Sequence, residues 1–251
     1  SLFFLIVIRS TYFYTISLHD AIPIFANTSR SLQVFDSAGD AVHKIILRDS
    51  SNHAVFADLV KRLALENQSP EASFDVRLPP EPPKTAEDKV EILRKEWRRL
   101  TDTHQFLRLV AKLKMNRLGA YRVAGDPFVR KLDTAEFDKM LTELQKSATE
   151  VMLFVGNRGC IQIHSGSLQT LKPMGPWLNV MDPRFNLHLR MDQVAEVWAV
   201  DKPTQRGLVT SVEAFDAHGS LICQVFGVPK EGRDSRAAFR AIVEKLESEP
   251  A

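Results

Sequence analysis

Apolar and polar residues alternate through much of the second half of the chain, which is the period of strands with one buried face. The alternation runs through residues 160–164, 185–190, 194–200 and 208–212. Gly, Asp and Pro residues, which favour turns, separate these stretches. The pattern predicts a large antiparallel sheet from residue 151 onward.

Helical periodicity precedes this sheet. The first helix is predicted to begin at Thr85, because Thr85 and Asp88 have the spacing of a capping box. Two further helices are predicted over residues 103–115 and 134–146. The second of the three presents an apolar stripe made of Phe106, Leu109, Val110 and Leu113. Helices that precede and follow a sheet indicate the α+β class.

A short unit occurs twice in the chain. Residues 31–39 and 211–219 carry Ser, Phe, Asp and Gly in the same order and spacing, and apolar helical patterns follow at 56–63 and 239–246. Each copy predicts a strand, an FDxxG turn, a second strand and an amphipathic helix. A strand-rich stretch precedes the second copy, whereas residues 1–29 show no corresponding pattern. We therefore expect most of a first repeat to be missing, so that the chain is truncated at its N-terminus.

These features predict four segments. Residues 1–29 resemble a translated sequencing adapter and are expected to be non-native, and residues 30–67 are expected to be the C-terminal remnant of repeat one. Residues 68–84 contain too many prolines for a helix or a central strand and are predicted to form an extended linker. Residues 85–248 are predicted to form a complete second repeat.

Composition narrows the range of partners. Lys and Arg number 33 and Asp and Glu 31, giving a formal net charge of +2 without a long basic block, so no nucleic-acid partner is expected. The apolar run at residues 2–8 is far short of the roughly 20 residues that a membrane span needs. Cys160 and Cys223 have neither zinc-site nor disulfide-scaffold spacing, which favours a reducing cytoplasm.

Chemistry-bearing motifs are few. The sequence has no GxGxxG, GxxxxGK[ST], HExxH or GxSxG, so nucleotide-binding and hydrolase functions lose their usual support. His104 is distinctive, because 100° per residue places it nearly opposite Phe106 and away from the apolar stripe. The positive end of the helix dipole there favours a neutral imidazole, which can bind a metal. An ordinary surface histidine is the alternative.

Five stretches carry a resemblance to a known family. They are Trp97–Arg108, Asn116–Arg122, Gly159–Gly166, Met174–Pro183 and Phe185–Arg190. Together they resemble the bacterial cytoplasmic hemin-degrading and heme-trafficking proteins of the HemS/ChuS type. The resemblance covers roughly residues 30–248 and implies two copies of one α+β repeat. It also implies b-type heme as ligand or substrate, a place in heme uptake and iron release, and a heme permease or heme oxygenase as partner.

The resemblance also supplies candidate site residues. His104 falls where the family has its axial heme-iron ligand, and a single neutral imidazole on iron is a common arrangement. Arg117 and Lys202 fall in the heme pocket, where cations can pair with propionates, and Gln224 falls where an amide can donate a hydrogen bond. Without the resemblance, the two cations would be ordinary loop residues and Gln224 an ordinary strand residue.

Two departures from the family pattern bear on activity. Phe226 stands where a pocket tyrosine is expected, and the distal arginine of repeat one falls in the adapter-like segment. We therefore expect heme binding to survive and turnover to be impaired, and no catalytic residue is named. Carrier and enzyme remain open alternatives for the parent protein. An exposed sheet edge predicts dimerisation or aggregation, and a heme-free interaction module that uses this edge is the competing function.

Overall fold

A computed structural model describes residues 2–8, 14–20, 30–64, 73–230 and 232–249. It divides the chain into two units, Ser1–Pro79 with Asn157–Cys160, and Pro80–Gly156 with Ile161–Ala251. The first unit contains strands β1 Leu2–Ile8, β2 Tyr14–Asp20, β3 Ser31–Phe35 and β4 Ala41–Ile46 and helix α1 His53–Leu63. Its strands form one antiparallel sheet in the order β1-β2-β3-β4.

The second unit contains helices and two sheets. Its helices are α2 Val90–Trp97, α3 Gln105–Lys112, α4 Arg117–Ala124, α5 Ala135–Lys146 and α6 Arg236–Val243. Its strands are β5 Val129–Leu132, β6 Val151–Gly156, β7 Ile161–Gly166, β8 Leu171–Met174, β9 Trp177–Asp182, β10 Phe185–Arg190, β11 Glu196–Thr204, β12 Gly207–Phe215 and β13 Leu221–Gly227. The α+β class is confirmed. Within the described residues, no helix combines the length and the apolar character that crossing a bilayer requires.

The single predicted sheet is in fact two. Strands β5-β11-β12-β13-β6-β7 form a six-stranded antiparallel sheet, and β10-β9-β8 form a separate three-stranded one. Pro173 lies in β8 and has no N–H for a further ladder, so β8 suits the edge of a sheet. Alternation along the chain predicts strands but does not say which strands pair, and this is why the division was missed.

Both faces of the six-stranded sheet are partly buried. On one face, Val197 and Ala199 of β11 belong to a core cluster that includes Phe137 of α5 and Phe239 of α6. On the other face, Trp198 belongs to a second cluster with residues of α2, α3 and α4. Because successive side chains of a strand point to opposite faces, β11 is buried along much of its length.

The two copies of the repeated unit have the same local geometry. Asp36 and Asp216 each accept hydrogen bonds through Oδ1 from the backbone N–H groups two and four residues on. Gly39 and Gly219 close the turns at φ values of 82° and 84°, where a side chain would be strained. Each turn joins two antiparallel strands and is followed by a helix. The FDxxG turns thus form as the sequence predicts.

The start of the first predicted helix is wrong. A 3₁₀ turn, Glu87–Lys89, leads into α2, and no side chain caps it, so Thr85 and Asp88 form no capping box. Tertiary contacts fix the preceding backbone instead, because the N–H of Lys84 donates to Oδ1 of Asn116 at 2.9 Å. The predicted segment boundaries remain predictions. Residues 65–72, and all of residues 1–29 except β1 and β2, lie outside the described residues.

Candidate functional site

Asp102 and His104 form a polar pair at the start of α3. The Oδ1 atom of Asp102 lies 2.7 Å from both the backbone N and the ring Nδ1 of His104. These contacts, the backbone one first, lower the pKa of the Asp102 carboxyl. An ionised carboxylate only accepts hydrogen bonds, so Nδ1 carries a proton, and in the neutral imidazole the lone pair is then on Nε2.

His104 lies on the exposed side of its helix, as the helical spacing predicts. Phe106 and Val110 are buried, while Leu107 is 49% exposed. The side chain of His104 is 90% exposed, and its ring forms a hydrogen bond with Asp102. A planar ligand can therefore approach Nε2 without displacing any core residue.

A buried ionic cluster lies between α4 and the six-stranded sheet. Glu213 is fully buried, and its Oε2 accepts a hydrogen bond from Nη1 of Arg117 at 2.8 Å. Its Oε1 accepts from Nζ of Lys202 and from Oγ of Ser211, both at 3.0 Å. Lys202 also donates to the hydroxyl of Tyr121 at 3.0 Å. We call Arg117, Lys202, Glu213, Tyr121 and Ser211 the ionic cluster.

Attraction between the members of the ionic cluster stabilises the charged forms of Glu213 and Arg117. Burial alone would raise the pKa of Glu213, but attraction to Lys202 and Arg117 lowers it to about 2. Burial lowers the pKa of Lys202, and attraction to Glu213 opposes this effect. Burial also acts to lower the pKa of Arg117, but attraction to Glu213 outweighs it and raises that pKa. Two cations face one carboxylate, so the cluster carries an excess of positive charge.

Helix α4, which the sequence analysis missed, positions Arg117. The side chain of Asn116 caps the helix by accepting from the N–H of Gly119 at 3.0 Å. A Cβ at Gly119 would lie 1.8 Å from the carbonyl oxygen of Lys84, so only glycine permits this approach. The helix ends at Gly125, at a φ of 63°. Asn before and Gly after a helical segment are a recognisable signal for it.

The other predicted residues lie at different places around the cluster. Gln224 is half-buried on β13, directly opposite Glu213 in the strand register, and therefore on the same face of the sheet. Phe226 lies two residues further along that face and packs against Phe154, with ring centroids 5.3 Å apart. Lys202 is only 3% exposed, although the family resemblance implies that it lies in the heme pocket. Arg117 and Lys202 thus meet through Glu213, a residue that the sequence analysis did not select.

An open groove of about 400 Å³ lies beside Arg117. Its apolar lining includes Leu107, Val110 and Met115. Its charged residues are Glu81, Lys84, Lys114 and Arg117, and because Glu81 pairs with Lys84, the positive charge is in excess at Lys114 and Arg117. An apolar wall edged by cations suits a molecule with an apolar body and anionic ends. His104 is not among the residues that line the groove, but it lies three positions before Leu107, which does, so the two exposed side chains are on the same side of the helix.

Comparison with known proteins gives consistent results. The model of the Haemin-degrading HemS.ChuX domain matches residues 23–63 and 114–246. The hemin transport protein HemS of Yersinia enterocolitica is 35% identical over 217 residues, which are 86% of this chain and 62% of that protein. The hemin transport protein HmuS of Yersinia pestis is 33% identical, again over 62% of its length. The chain thus spans less than two thirds of these relatives.

Two solved structures are similar to this chain in both sequence and fold. Holo-PhuS, a heme-binding protein from Pseudomonas aeruginosa, has a TM-score of 0.83 and 35% identity, over 97% of this chain and 76% of that one. The heme degrading enzyme ChuS of Escherichia coli O157:H7 has a TM-score of 0.79 and 29% identity, over 98% of this chain and 74% of that one. The two neighbours are thus described by binding in one case and by degradation in the other.

Proposed function

The chain belongs to the haemin-degrading HemS/ChuX domain family, and from this premise we propose that it binds heme as a cargo, with His104 as the axial ligand of the iron. The Asp102–His104 pair carries the proposal. A heme iron takes a neutral imidazole nitrogen as ligand, and a carboxylate on the other ring nitrogen orients such a ligand and raises its basicity. In its neutral form, His104 would offer the iron an exposed Nε2 while Asp102 holds the other ring nitrogen.

The groove beside Arg117 supports an anionic, largely apolar ligand. The side chain of Arg117 lines the groove and is 21% exposed, and its guanidinium forms an ion pair with the buried Glu213. We assign Arg117 to a heme propionate and Lys202 to its support through Glu213, because the ammonium of Lys202 is enclosed. Gln224 lies opposite Glu213 on the same face of the sheet and adds an amide group beside the ionic cluster. A propionate would offset the excess positive charge of the ionic cluster.

We propose binding and delivery as the role of the described residues. Phe226 provides no hydroxyl donor beside Gln224, and a polar distal donor is what steers heme proteins towards oxygen activation. The corresponding setting is a bacterial cytoplasm, where the protein would accept heme after uptake by a permease and pass it to a degrading enzyme such as a heme oxygenase. The hemin transport relatives support this setting.

A hemin titration followed by Soret absorption tests the proposal. The purified chain is compared with His104→Ala and with His218→Ala, which removes another exposed histidine on the Asp216 turn. We expect a saturable, near-stoichiometric band for the wild type and for His218→Ala. We expect a shifted band and weaker binding for His104→Ala. The same weak, nonsaturating spectrum for all three proteins would contradict heme binding and favour a heme-free interaction module.

A further inference from the structure

Most of the outer face of the three-stranded sheet is exposed, although Asn179 at its centre is only 5% exposed. Leu178, Val180 and Leu189 of this sheet point into the core. The register places the alternating residues on the opposite side, with Met174 and Arg190 flanking Trp177. Lys172 and His188 flank Asn179 in the next row of side chains, and Met181 follows along β9. We call Lys172, Met174, Trp177, Asn179, Met181, Asn186, His188 and Arg190 the outer face.

His188 is held in one tautomer on this face. Asn179 donates through Nδ2 to the carbonyl oxygen of Lys172 at 3.0 Å, so its Oδ1 is the end that meets His188. Nδ1 of His188 lies 2.6 Å from this oxygen and must be the donor, since an amide oxygen only accepts. In the neutral imidazole the lone pair is then on Nε2. Because His188 is exposed, this nitrogen is available to a ligand.

Apolar and aromatic side chains lie diagonally across from His188 on the outer face, while its direct neighbours Asn179, Asn186 and Arg190 are polar. Met174, Trp177 and Met181 are 66%, 39% and 44% exposed, although large apolar side chains are usually buried. The guanidinium of Arg190 lies 5.2 Å from the centroid of the Trp177 ring and is held in place by Asp192. Lys172 is exposed at the far strand. Neighbouring strands are about 4.8 Å apart, so the three strands form a surface about 10 Å across.

This combination fits one ligand class. An imidazole nitrogen with a fixed lone pair suits a borderline transition metal, and flat aromatic and thioether groups suit a large apolar ring. Lys172 supplies a positive charge for an acidic substituent of such a ring. We propose that the outer face is a second heme site, at which His188 binds the iron of a hemin held flat against the sheet. This inference rests on the proposed function, because it requires that hemin is the cargo.

Hemin bound at the outer face could be transferred to the groove beside Arg117. His188 lies on a surface without an enclosing wall, so heme bound there exchanges with solvent more readily than heme held in the groove beside Arg117. We infer that the outer face is the weaker site, where hemin is first captured or from which it is handed over. Asn179 is its positioning residue, because it fixes the tautomer of His188 without reaching the metal.

The test uses hemin titrations in a His104→Ala background. We expect this variant to retain a weaker, saturable Soret band, which His104→Ala/His188→Ala loses and His104→Ala/His218→Ala keeps. Asn179→Ser in the same background should weaken binding about tenfold without a change in the Soret maximum, as expected for a residue that orients a metal ligand. Iron-free protoporphyrin IX should bind the His188 variants and their parent equally, because only iron needs the imidazole.

The outcomes separate the two proposals. If His104→Ala retains no saturable band, or if the His188 and His218 substitutions reduce that band equally, the second site does not exist. If His104→Ala binds hemin as the wild type does and adding His188→Ala abolishes binding, the second site stands while His104 is refuted as the main ligand. A wild-type chain that binds no hemin refutes both. Melting curves recorded for every variant verify that a lost band does not reflect unfolding.

Discussion

Glu213→Gln is the most informative substitution for the stability of this fold. The variant removes the one negative charge of the ionic cluster while it keeps the size of the side chain, and so leaves Arg117 and Lys202 buried beside a neutral amide. The pKa of Glu213 is lowered from 4.5 to about 2. At about 1.4 kcal/mol per pKa unit, this corresponds to a contribution of about 3 kcal/mol to the free energy of unfolding at neutral pH. Breaking a buried ion pair from one side typically has an effect of this size.

The pH dependence of this contribution has a definite sign. The folded-state pKa of Glu213 lies below the ordinary value, so its contribution is complete above pH 4.5 and is lost as the pH falls towards 2. The free energies of unfolding of the wild type and Glu213→Gln should therefore differ by about 3 kcal/mol at pH 7 and converge near pH 2. Urea denaturation followed by circular dichroism at pH 7, 5, 4 and 3 measures this difference.

A surface ion pair provides the matched control. Glu143 pairs with Lys146 on α5, and both side chains are more than half exposed. Glu143→Gln should change the free energy of unfolding by less than about 1 kcal/mol at every pH. The reasoning is refuted if Glu213→Gln behaves like this control at pH 7, or if its difference from the wild type is independent of pH.

Three further predictions concern Asp102, Gly119 and His164. Asp102→Ala should weaken hemin binding at least about tenfold in a Soret titration while the melting temperature stays unchanged, because it frees the imidazole of His104 to change tautomer. Gly119→Ala should lower the free energy of unfolding by about 1–3 kcal/mol in urea, because its Cβ would collide with the carbonyl of Lys84. His164→Phe should raise that free energy by about 1 kcal/mol, because Nε2 of His164 is buried without a hydrogen-bond partner among the described residues and its ring stacks on Phe185 at 4.2 Å.

Each of these predictions has a contrary result. Unchanged hemin affinity in Asp102→Ala would mean that the carboxylate does not orient His104. A fully stable Gly119→Ala would mean that α4 can move away from Lys84 without loss. A destabilised His164→Phe would mean that the buried ring nitrogen has a partner in solution, such as a water molecule.

Local patterns allowed much of the fold to be predicted from the sequence. The FDxxG turns form because their hydrogen bonds join residues at most four positions apart, and α5 begins within one residue of its predicted start. Glu213 escaped notice because one acidic residue in an alternating strand normally faces solvent. Its burial depends on Lys202 and Arg117, which come from another strand and from a helix. Helical spacing and family resemblance selected His104 as a candidate ligand, whereas its pairing with Asp102 required the structure.

The contact between Lys84 and Asn116 joins the end of the proline-rich segment to helix α4, which carries Arg117. Asn116 accepts from the N–H of Lys84, donates through Nδ2 to the carbonyl of Pro82 at 2.8 Å, and caps the helix that begins with Arg117. One side chain thus ties the segment to the helix and holds the helix start in shape. A force that pulls this segment away would uncap α4 and loosen the guanidinium beside the groove. Tension in the chain ahead of Pro82 would in this way weaken the binding of an anionic group to Arg117.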